Sequence, residues 1–124
     1  MAGFVFGPHM VLPHVDVAIS TNDDNWAGAA GDGAVVILVK NSASVSRAIR
    51  GIANGQHGRL IFIVLASGPD LTFPPGHALS PAGTRLQTQG GAVQTISENG
   101  CIAFWYDGTY LSGQGQWVQV GLVA

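Results

Sequence analysis

Apolar and polar residues alternate through Val15, Asp16, Val17, Ala18 and Ile19, the period of two with which a strand turns one face to a core and the other to solvent. The alternation returns at Val93, Gln94, Thr95 and Ile96. Between and after these lie nearly unbroken apolar runs at residues 34–39, 59–65 and 101–106, rich in the β-branched and aromatic side chains that suit buried strands. Residues 85–88 and 116–120 read as two shorter strands. Residues 41–50 fit either a short helical turn or a further strand. Trp26, Phe62, Phe104 and Trp117 read as core aromatics.

Turn chemistry separates these segments. Residues 21–25 supply Asn and Asp side chains that bond nearby amides, with Trp26 as the anchor that follows. Asn54-Gly55 is a strong hairpin signal, and so is Asp107-Gly108. Phe73-Pro74-Pro75-Gly76-His77 is a rigid loop, while Gly90-Gly91 and Glu98-Asn99-Gly100 are turns. About eight short strands at this spacing predict an all-β fold, an antiparallel β-sandwich or jelly-roll-like domain over residues 15–124. Residues 1–14 read as an extended N-terminal arm punctuated by Pro8 and Pro13. Such an arm serves either as a clamp on a neighbouring subunit or as an edge strand of its own sheet.

Composition sharpens this picture. Of 124 residues, 47% are hydrophobic and only 10% charged, against about 25% charged in an average soluble chain. Either neighbouring molecules cover much of the surface, or that surface is built of neutral Ser, Thr, Gln, Asn and Gly. The five basic residues form no tract, which argues against nucleic acid as a partner. No apolar run is long enough to span a bilayer as a helix, and the first twenty residues show no basic leader. Cys101 is the single cysteine and sits in an apolar run, which predicts a buried, inert thiol and no intrachain disulfide.

Little in the chain suggests catalysis. His9, His14, His57 and His77 have no spacing that would set two of them on one face as metal ligands. Asp23 and Asp24 with Asn22 and Asn25 offer oxygens to a cation but lack the spacing of a calcium loop. The Gly28–Gly33 segment feeds a β-branched run rather than a helix, so it is not a phosphate loop. No catalytic residue, metal or cofactor is expected. Trp105 and Tyr106 beside Asp107 have the residue types of a sugar platform, although strand alternation sends the two rings to opposite faces.

Residues 49–65 (IRGIANGQHGRLIFIVL), followed by IAFWYDG at 102–108 and by Gln116-Trp117, resemble the small β-rich modules of tailed-phage virions. The resemblance covers about residues 34–120. It implies a homotrimeric virion structural protein and no enzyme. One expected role is a capsid decoration (cement) protein, which binds the major capsid protein and stabilises the expanded shell on the capsid surface after assembly in the host cytoplasm. That role suits a small free-standing chain with a hydrophobic arm. Its contacts would come from Phe4, Phe6, Met10 and Leu12, with Arg50 and Arg59 holding a neighbouring subunit. The other expected role is a tail-fibre tip contacting host polysaccharide through Trp105, Tyr106 and Tyr110.

Overall fold

In the computed structural model of this chain, residues 12–28 and 35–124 are described. They form β1 (His14–Ile19), β2 (Val36–Asn41), β3 (Arg47–Ala48), β4 (Leu60–Ser67), β5 (Leu71–Phe73), β6 (Leu86–Gln87), β7 (Gln94–Ile96), β8 (Cys101–Asp107) and β9 (Gln116–Val123). A six-stranded sheet has the order β1-β2-β4-β8-β9-β6, and a three-stranded sheet the order β3-β5-β7. The structure is predominantly β, as the alternation predicts.

The sheets are mixed, which corrects the antiparallel expectation. β1 runs parallel to β2, β2 to β4, β3 to β5 and β6 to β9. From β2 to β8 the chain alternates between sheets, with β3, β5 and β7 in the small one and β4, β6 and β8 in the large one. A strand that re-enters a sheet after a visit to the other one can return in its original direction, as β4 does beside β2. Among the described strands, only β8 and β9 are neighbours both in sequence and in a sheet while running antiparallel.

Asn54 adopts the left-handed turn conformation its Asn-Gly pair favours, with φ of 64°. No hairpin results. The preceding residues do not pair with β4: Ile49 and Ile52 bridge to Asp23 and Trp26, and Gly51 to Arg85. Residues 49–52 are thus held between two other loops rather than folded back on the strand that follows.

One hydrophobic cluster joins the two sheets. Ile37 and Val39 of β2, Ile61, Ile63 and Leu65 of β4, Ile102 and Phe104 of β8 and Trp117 of β9 meet Leu71, Phe73 and Ile96 of the small sheet, with Ile49, Ile52, Trp26 and Leu86 beside them. The Trp117 ring is fully buried and donates its Nε1 hydrogen to the Ile52 carbonyl at 2.9 Å. Phe62 is not in this cluster. It points to the opposite face of β4, one residue out of phase with Ile61 and Ile63.

Asn41 is the polar member of the core-facing row of β2. Its Nδ2 donates to the carbonyls of Val45 and Pro69, at 3.2 and 3.0 Å, and its Oδ1 accepts from the Ala43 amide at 3.0 Å. One buried amide therefore ties together the chain leaving β2 and the chain leaving β4. Gly68 must be glycine here, because its φ is 101° and a Cβ would run into the Asn41 carbonyl.

Candidate functional site

Two surfaces stand out. The first is the face of the large sheet turned away from the core cluster. Strand register sets its side chains in rows: Leu60, Trp105 and Val118; then Val36, Phe62 and Ala103; then Leu38, Val64, Cys101 and Val123. From β2 to β9 these rows carry no charge; β1 extends them with His14 and Asp16, and Lys40 follows Leu38 on the same face of β2. No described strand packs over it, and Leu60 and Val123 are 38% and 66% exposed. Val120, extruded by the bulge between Ala103 and Phe104, adds a further exposed side chain at 55%. Burial pushes the Cys101 thiol pKa upward, so the cysteine behaves as a small apolar member of its row.

The second surface is the loop-rich end where β4 begins, β8 ends and β9 begins. Tyr106 is 7% exposed and donates its hydroxyl to the Gly83 carbonyl at 2.8 Å, so this ring is a core element and offers nothing to a sugar. It meets Trp117 edge-on at 5.0 Å. Trp105 lies on the other face, with His57 edge-on at 5.4 Å, and the Gly108 amide donates to His57 Nδ1 at 3.0 Å. Of the three aromatic residues that the tail-fibre expectation groups together, only Tyr110 stands out at this end, 39% exposed. It begins a tight turn, Tyr110–Gly113, in which Leu111 and Ser112 have φ of 47° and 57°. A pocket of about 140 Å³ opens beside it.

Asp107 closes the same end. Its Oδ1 accepts hydrogen bonds from the Thr109 hydroxyl at 2.6 Å and the Thr109 amide at 2.9 Å. These bonds, the hydroxyl first, hold its carboxyl below the ordinary aspartate range.

The arginines expected to hold a neighbour have partners within the chain. Arg50 lies 2.5 Å from Asp24 as an ion pair, and Arg59 donates to the Asn54 carbonyl at 3.0 Å. The Asp and Asn group at 22–25 is likewise in use: Asp23 accepts from the Asn25 amide and Asn22 from the Ala48 amide, both at 2.9 Å. Among the described residues, no three His, Cys, Asp or Glu side chains converge as a metal site would require, and no helix is long and apolar enough to cross a membrane. Of the arm contacts, Phe4, Phe6 and Met10 lie outside the described residues; Leu12 is exposed, and the next residue, Pro13, accepts from the amides of Val35 and Val36.

Sequence reasoning missed the outer apolar field, since an unbroken apolar run such as residues 60–65 looks the same whether one face is buried or two. It also missed the pocket, whose walls come from four separate segments. No known protein family matches the chain, and neither curated proteins nor solved structures yield a match.

Proposed function

We propose that this protein is a structural component of a tailed-phage virion, a homotrimeric capsid decoration protein whose β-sandwich-like domain binds the major capsid protein and stabilises the expanded shell. The observation that supports this best is the apolar field on the outer face of the large sheet, with Leu60, Phe62, Val64, Trp105 and Val118 side by side. Apolar fields of this kind are characteristic of protein interfaces. Covering one removes hydrocarbon from water at about 25 cal/mol per Å². A protein that binds the expanded shell alone adds about 2.7 kcal/mol per site at a free concentration one hundred times its Kd.

The test is sedimentation of purified expanded shells mixed with the protein, scored as copies bound per shell. Saturation at a number set by the three-fold positions supports the proposal. A Phe62→Lys, Val64→Lys double variant that retains its circular dichroism and melting profile should lose binding. Shells that are equally heat-resistant with and without the protein would refute it.

A second reading, a receptor-contacting tail-fibre tip, draws its support from the pocket and exposed Tyr110 at the loop-rich end. Adsorption to host cells in the absence of shell binding would favour it.

A further inference from the structure

The pocket at the loop-rich end has walls whose chemistry is specific. Gly76 and Gly83 leave backbone bare, and an aromatic residue, Tyr110, a basic one, Arg85, and two glutamines, Gln114 and Gln116, stand among the lining residues. No Asp or Glu lines it. We infer that this pocket binds a sugar ring bearing a carboxylate, such as a hexuronate unit of a polysaccharide. The inference rests on the second reading above and names its ligand.

A pyranose ring needs an apolar surface for its C–H face and groups that both donate and accept for its hydroxyls. Tyr110 supplies the first and the glutamine amides the second. Gln116 Nε2 is committed to Gln87 Oε1 at 2.7 Å, which fixes the amide and leaves Gln116 Oε1 as an acceptor. A carboxylate calls for arginine, the side chain with the matching fork of donors. Arg85 is pre-positioned, with Nε donating to the Ser80 carbonyl at 3.0 Å and Nη2 directed at that of Ala78 at 3.5 Å. No bond occupies its Nη1 among the described residues.

The walls are anchored before any ligand arrives. The Tyr106 hydroxyl donates to the Gly83 carbonyl at 2.8 Å and lies 3.5 Å from that of Gln114, which links the two sides of the pocket to the core. A Cβ on Gly83 would come within 2.7 Å of the Gln114 carbonyl, so the two walls are in close contact. Leu111 and Ser112, both in the left-handed region, hold Tyr110 at the rim, and the Gly115 amide closes the turn on the Tyr110 carbonyl at 3.0 Å. Consecutive left-handed non-glycine residues are costly, and such strain concentrates where a chain presents a ligand contact.

The test is titration of the full ¹⁵N-labelled chain with glucuronic acid and, separately, with glucose, following the backbone amides of residues 110–116. Glucuronic acid should give saturable shifts there, bind about tenfold tighter than glucose, and weaken as salt is added. Tyr110→Ala should weaken glucuronic acid at least about tenfold with the rest of the spectrum unchanged, and Arg85→Gln should abolish the preference over glucose. Absence of shifts, equal affinity for the two sugars, or undiminished binding by Tyr110→Ala would each overturn the inference. Adsorption to host cells, measured in parallel, separates the two ideas: cells bound with no response to glucuronic acid would remove this ligand and leave the tail-tip reading standing.

Discussion

Replacing Asn41 by alanine removes two donated hydrogen bonds and one accepted bond from the point where the chain leaves the large sheet twice. A typical hydrogen bond contributes about 0.5–1.5 kcal/mol net, and an orphaned buried partner costs more. The partners here sit in turns, with Ala43 and Pro69 half-buried and Val45 exposed, so water can recover part of what is lost. That places the expected loss near about 2 kcal/mol. With a urea m-value of about 1.5 kcal/mol/M, the unfolding midpoint should fall by roughly 1.3 M. Asn41→Asp adds a sharper check. It keeps the acceptor for Ala43 but aims a carboxylate at two carbonyls, which raises the folded-state pKa above the unfolded value of about 3.9. The stability deficit of Asn41→Asp should therefore be smallest below about pH 4 and grow as pH rises through the folded pKa. A loss under about 0.5 kcal/mol for Asn41→Ala, or a deficit for Asn41→Asp that grows as pH falls, would show that this amide does not hold the crossover.

Other substitutions probe the turns and the surfaces. Gly68→Ala meets both a φ of 101° and the Asn41 carbonyl, whereas Gly58→Ala has a φ of 88° and open space; thermal melts should show the first to be clearly the more damaging, by about 1–3 kcal/mol. Because hydrogen bonds depress the Asp107 pKa, its contribution is present above the unfolded pKa and disappears as pH falls through the folded one. Carbon-detected titration should place its midpoint below that of an ordinary aspartate, and Thr109→Val should move it back up. Trp117→Phe leaves the Ile52 carbonyl without its donor and should cost about 2–4 kcal/mol by chemical denaturation. Cys101, with its pKa raised by burial, should react with a thiol reagent more slowly than free cysteine at pH 8 and catch up on unfolding.

The alternation at residues 15–19 and 94–96, and the apolar runs leading into β2, β4 and β8, determined that this chain folds mainly as strands, because a period of two is imposed locally by backbone geometry. The same period placed Trp105 and Tyr106 on opposite faces, as β8 has them. Local chemistry likewise determined the turn at Asn54 and the Asp23 bond to the Asn25 amide. Strand order was beyond it. The antiparallel expectation rested on the number of short strands and the turns between them, but β3, β5 and β7 gather in a second sheet, and β2 and β4 become parallel neighbours across the visit to β3. Phe62 reads like Phe104 in its run, and only the packing of the small sheet against one side of β4 decides that Phe104 is core and Phe62 faces outward. The pocket follows the same logic: Gly76, Arg85, Tyr110 and Gln116 are spread over forty positions and meet because β6 pairs with β9. Periodicity and turn type are properties of a few consecutive residues, whereas which strands adjoin and which face is covered depend on contacts between segments far apart in the chain, and those exist only once the sheets have formed.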